Sequence, residues 1–83
     1  MVGRVVYSAA GRDRDTAMVI VGEAADHLLV CDGKMRRLER PKRKNPKHLR
    51  FTTAYLEPEK LETNRSIKRE LRNYSLCDVK EEK

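Results

Sequence analysis

Over the first half of the chain, apolar residues come in short runs bounded by Gly and Asp, a pattern that predicts strands joined by turns. Residues 2–8 form the first run. Val5 and Tyr7 fall on one side of it and Arg4, Val6 and Ser8 on the other, the period of two of a half-buried strand. Residues 9–15 read as a loop, in which Gly11 permits a positive φ and Asp13 and Asp15 can take up local backbone donors. Residues 16–23 are almost continuously apolar through Ala17-Met18-Val19-Ile20-Val21, which predicts a central strand, and Gly22 predicts a bulge near its end.

A third run, residues 27–31, ends at Asp32-Gly33. Asp-Gly between two such runs predicts a type I′ hairpin, with residues 34–38 pairing back on the third strand. Met35 and Arg37 would then share one face, and Lys34, Arg36 and Leu38 the other. Residues 41–46 read as a loop, because Pro41 and Pro46 interrupt a ladder, and residues 47–53 supply a last strand around Leu49 and Phe51. Five short strands with tight connections predict a small, strongly bent antiparallel barrel over residues 1–53.

Residues 54–63 read as a linker. Beyond it, Ile67, Leu71 and Tyr74 fall at i, i+4 and i+7, which predicts a helix over residues 64–74 with Thr63 or Asn64 as its N-cap. Arg65, Lys68, Arg69 and Arg72 decorate its remaining surface. A helix of this length is marginal alone, so it docks on the barrel or forms on a partner. Residues 75–83 read as a flexible tail.

Charge changes this picture more than any other feature. The chain has 83 residues and a net charge of +6, but residues 34–50 hold nine Lys or Arg against the single acid Glu39. The remaining residues are close to neutral, so the basicity belongs to Lys34, Arg36, Arg37, Arg40, Lys42, Arg43, Lys44, Lys47 and Arg50. Such a block repels itself, and a polyanion relieves that repulsion by releasing condensed counterions. No amphipathic helix accompanies the block to seat it on lipid. The longest strictly apolar run has five residues, far short of about 20 for a membrane span, and the start of the chain does not read as a signal peptide. A cytoplasmic protein is expected, with Cys31 and Cys77 as reduced thiols.

Catalysis would require a nucleophile with a base, paired carboxylates in an apolar setting, or metal ligands at a recognisable spacing. None of these is present in the sequence, so no enzyme, no metal site and no cofactor is expected. His27 and Cys31 are four apart, and a buried thiol beside a histidine at a strand end is their ordinary explanation. His48, inside the basic run, is open to either a phosphate or base contact or packing on the barrel. The four aromatic residues are dispersed, and no RNP-type or helix-turn-helix pattern occurs. What remains is phosphate and ribose contact by Arg and Lys, which reads the shape of a structured RNA more than its sequence.

The assembled residues resemble a KOW module: Val2-Gly3-Arg4-Val5-Val6-Tyr7, then Gly11-Arg12-Asp13, then Met18-Val19-Ile20-Val21. With Leu29-Val30-Cys31-Asp32-Gly33, the basic stretch and Lys44-Asn45-Pro46-Lys47-His48-Leu49, residues 2–53 are similar to the archaeal and eukaryotic large-subunit ribosomal protein family fourteen and its short bacterial relatives. The resemblance implies an SH3-like barrel that binds ribosomal or other structured RNA through its loops, without enzymatic activity. It makes Gly11 the motif glycine, puts Arg12 and Arg14 in the first loop, and sets Arg36, Arg37, Lys42, Arg43, Lys44, Lys47 and His48 along the RNA-facing side. The 64–74 helix looks like the short helix of the bacterial relatives, not the long extension of the ribosomal family.

The sequence therefore predicts a mainly β protein, an SH3-like five-stranded barrel with a short C-terminal α-helix. It is expected to be monomeric when free and to dock ribosomal RNA or the large ribosomal subunit through the basic surface. The alternative is a protein-interaction module that binds a ribosomal or transcription-machinery protein through the helix face of Ile67, Leu71 and Tyr74 or through a barrel edge.

Overall fold

The apolar run 17–21 lies at the centre of a five-stranded antiparallel sheet, and it is continuous because both of its faces are covered. In the computed structural model, which describes residues 2–9 and 16–74, the strands are β1 (Arg4–Ser8), β2 (Ala17–Glu23), β3 (Leu28–Cys31), β4 (Lys42–Lys44) and β5 (Leu49–Tyr55), in the order β4-β3-β2-β1-β5. The helix α1 spans Asn64–Leu71, and short 3₁₀ turns cover Pro46–His48, Pro58–Leu61 and Arg72–Tyr74. Gly11, Arg12 and Arg14 of the predicted first loop, and the predicted tail with Cys77, lie outside the described residues.

Two apolar layers hold the sheet. Val6, Met18, Ile20, Leu28, Val30 and Leu49 fill one side, with Phe51 packed against them. On the other side Val5, Ala17, Val19 and Cys31 meet Leu56 and the α1 residues Ile67 and Leu71, which are 0% and 5% exposed. The alternation in β1 predicts a half-buried strand, yet Val5 and Val6 are both fully buried. The difference comes from α1, which covers the face that a lone sheet would leave to water. Helix docking thus joins the expected linker to the body: β5 runs on to Tyr55, Leu56 is buried, and Leu61 packs on the same cluster. Tyr7 closes the far end by donating its hydroxyl to the Tyr74 carbonyl.

Curvature enters at two places. The β2–β3 register shifts between Ile20 and Gly22, where the glycine predicted a bulge, and the β1–β5 register shifts between Arg4 and Val6. The sheet does not close. Its two edge strands, β4 and β5, are nevertheless joined by the Pro46–His48 turn, and Lys44 Nζ donates to Ser8 Oγ of β1 at 3.1 Å, giving a small barrel-like shape.

The fourth strand is not where the Asp-Gly signal put it. Residues 34–40 form a loop, and the strand that pairs with β3 is Lys42–Lys44, with Leu28 opposite Lys44 and Val30 opposite Lys42. Asp32 causes the change. Its Oδ1 accepts from the Lys34 and Arg36 amides, both at 2.8 Å, while the Asp32 and Gly33 amides donate to the Arg36 carbonyl. These bonds close a turn over residues 32–36 and leave no two-residue hairpin. The chain then crosses the start of α1, where Leu38 N–H donates to Asn64 Oδ1 at 2.7 Å. Pro41 and Pro46 flank β4 without entering its ladder, so the loop expected at 41–46 is interrupted by a short edge strand. Of the two N-cap candidates it is Thr63 that caps α1, accepting from Ser66 N–H at 3.1 Å.

Candidate nucleic-acid interface

The cations of residues 34–50 divide into those that build the fold and those that face solvent. Lys44 belongs to the first group. It stands opposite Leu28 in the β3–β4 ladder, and its ammonium reaches Ser8. Arg36 and Lys42 are half-buried, and both, like the exposed Arg50, have partners within the fold. Glu39, the lone acid of the segment, also serves the structure: it accepts from Asn64 Nδ2 at 2.9 Å. That hydrogen bond, then its own backbone N–H and the nearby Arg37, hold its carboxyl below the usual range.

Lys34, Arg37, Arg40, Arg43, Lys47 and His48 are exposed. They come from three consecutive pieces of chain, namely the 34–40 loop, β4 and the Pro46–His48 turn, each fixed by specific bonds. The loop is tied to Asp32 and Asn64, and β4 is paired to β3. In the turn Asn45 Oδ1 accepts from Lys47 N–H, and the His48 carbonyl accepts from Ala9 N–H at 2.8 Å. His48 is therefore anchored by its backbone while its ring faces solvent, not packed on the barrel. Arg37 keeps 60% of its side chain exposed although Glu39 lies 4.0 Å away, a pair too long and too wet to hold it.

Two features of this surface escaped the sequence pattern. Met35 is 74% exposed at the crown of the basic loop. On the opposite edge Arg4 stacks over Phe51 at 5.1 Å and Tyr55 at 5.8 Å, and its Nε donates to the Thr52 carbonyl. Tyr55 is 57% exposed, so β5 presents a ring at its rim.

The residues considered for chemistry have ordinary explanations. His27 lies just before β3 with Nδ1 2.6 Å from Asp26 Oδ1, a contact that is the main reason the Asp26 carboxyl sits below its usual range. Cys31 is buried beneath α1, and burial, followed by the charge of Asp32, pushes its thiol up to about 11. Among the described residues no group of three His, Cys, Asp or Glu could hold a metal ion, and no helix is long and apolar enough to cross a membrane. The folded state holds the Cys31 proton more tightly than the unfolded chain, so this contribution to stability is complete below pH 9 and is lost as pH rises toward 11. In a Cys77→Ser background at pH 8, Cys31 is expected to stay unmodified by iodoacetamide in the native protein and to react fully in urea; rapid alkylation of the native protein would contradict its burial.

No protein family model matches the chain, and no curated protein matches it in sequence.

Proposed function

We propose that this protein is a non-enzymatic RNA-binding protein that docks structured RNA, foremost ribosomal RNA, through the exposed cations of residues 34–50. The observation that carries this reading is the rigid presentation of Lys34, Arg37, Arg40, Arg43 and Lys47 on loop, edge strand and turn, all exposed while the one acid among them is engaged by Asn64. The backbone that carries these charges is already ordered, so docking on phosphate costs side-chain freedom alone, and their like-charge repulsion falls when they dock. Contacts of this kind fix position on a backbone and read shape. The similarity of residues 2–53 to the KOW module and to ribosomal protein family fourteen points the same way, and the open, five-stranded, barrel-like sheet is compatible with an SH3-like barrel. In this reading the protein acts in the cytoplasm as a monomeric, ribosome-associated factor, needs no cofactor, and uses Arg12 and Arg14 as a further contact. Of the two surfaces of the alternative, a protein-interaction module, the helix face of Ile67 and Leu71 is occupied by the fold itself, which leaves that reading the barrel edge.

Sedimentation of the tagged protein through a sucrose gradient of its native lysate tests the assignment. Comigration with large ribosomal subunits at low salt, lost at high salt, is the expected result. Sedimentation near the top of the gradient at both salt concentrations would overturn the ribosomal assignment.

A further inference from the structure

Outside residues 34–50, cations also converge on the exposed side of α1. Arg65, Lys68, Arg69 and Arg72 recur at i, i+3, i+4 and i+7. They therefore share one face over about 10 Å of helix axis, at 1.5 Å per residue. Together they line a shallow depression of about 330 Å³, and no acid among the described residues contributes to it. A second depression, about 310 Å³, brings Lys68 and Arg72 together with Lys34 of the basic loop, beside Thr16 and Asp32. Asp32 Oδ1 accepts from the Lys34 and Arg36 amides there, and its single charge is outnumbered by Lys34, Lys68 and Arg72. Lys68 and Arg72 belong to both depressions, so the helix stripe runs without a break into the loop.

This arrangement works against the helix that bears it. Arg65 with Arg69, and Lys68 with Arg72, are like-charge pairs at i, i+4, and each destabilises a short helix. Glu70, the acid of α1, lies 3.6 Å from Lys60, and among the described residues no carboxylate pairs with any of the four cations. A bound anion would remove that repulsion. Lipid is a poor candidate, because an interfacial helix must insert its apolar side and here Ile67 and Leu71 are committed to the core. A small ligand is a poor one as well, since the depression is open and formed by side chains on the surface. Three guanidinium forks in a row suit the oxygens of successive phosphates.

We propose that α1 carries a second phosphate-backbone contact, continuous through Lys34 with the first, so that one RNA lies along both the loop and the helix. The inference rests on the RNA-binding reading above. Two adjoining lines of contact fix the orientation of a duplex where a single patch would let it turn.

The test uses the full chain and a labelled RNA hairpin, followed by fluorescence anisotropy across a potassium chloride series. Four proteins are compared: the wild type; a helix variant with Gln at positions 65, 68, 69 and 72; a charge-keeping variant with Lys at 65, 69 and 72; and a loop variant with Gln at 37, 40, 43 and 47. The helix variant is expected to bind at least about tenfold more weakly, with the slope of log K against log salt reduced by about 3, while the charge-keeping variant retains the wild-type slope. Wild-type affinity and slope in the helix variant would overturn the inference and leave the stripe to an acidic protein surface. Loss in the helix variant alone would uphold this contact and refute the loop assignment, whereas absence of wild-type binding would refute both.

Discussion

Replacing Arg37, Arg40, Arg43 and Lys47 together by Gln is expected to weaken binding to a structured RNA on the order of 100-fold at low salt, with little change in stability. All four side chains are exposed, and none makes the Lys44–Ser8 hydrogen bond between β4 and β1. Exposed substitutions of this kind usually move stability by no more than about 0.5 kcal/mol, so the melting temperature should stay close to that of the wild type. The loss should be similar for unrelated structured RNAs, because phosphate contacts carry no sequence information. Arg36 and Lys44 are left in place deliberately. Arg36 is half-buried and Lys44 bonds Ser8, so substituting them would mix a folding defect with a binding defect. Affinity within about threefold of the wild type would remove the 34–50 surface from the interface.

Gly33→Ala is expected to be the most damaging single substitution in stability. Gly33 has φ +79, and a Cβ at this position would lie 2.3 Å from the Asn64 carbonyl oxygen and 2.9 Å from the Lys68 amide nitrogen. Both obstacles are backbone, so no rotamer relieves them. The left-handed conformation itself costs a residue with a Cβ about 1 kcal/mol, and the clash forces α1 away from the turn that Asp32 builds. A total near 3 kcal/mol is expected, which for a domain of this size lowers the melting temperature by roughly 15 °C. Faster hydrogen exchange at the α1 amides should accompany the loss, because the helix depends on docking. A melting temperature within about 2 °C of the wild type would show that loop and helix are not coupled through this glycine.

Much of this architecture is legible in the sequence. The run 17–21 announces a buried central strand, Gly22 a bulge, and Ile67, Leu71 and Tyr74 a one-sided helix. The path of residues 32–44 is not legible, for a physical reason. Asp-Gly signals a turn but leaves its type open, and here the Asp32 carboxylate accepts from the Lys34 and Arg36 amides, which closes a wider turn than a two-residue hairpin. The contacts that complete the turn come from Asn64, 26 residues beyond Leu38, and no local pattern announces them. The second buried face of β1 was invisible for the same reason, since alternation along a strand says nothing about a helix arriving from elsewhere. Charge counting found the basic segment but could not tell Lys44, which bonds Ser8, from Arg43, which faces water. It also registered the α1 cations without showing that Lys68 and Arg72 meet Lys34, a proximity set by how the helix docks.

In the function proposed above, exposed cations bind RNA by electrostatic contact with phosphate. The most direct test is the affinity of the wild-type protein for a labelled RNA hairpin, measured across a series of salt concentrations. The account predicts tight binding at low salt and a linear fall of log K with log salt, steep enough to correspond to several phosphate contacts at about 0.7–0.9 per contact. Undetectable binding at low salt, or an affinity that does not change with salt, would contradict it.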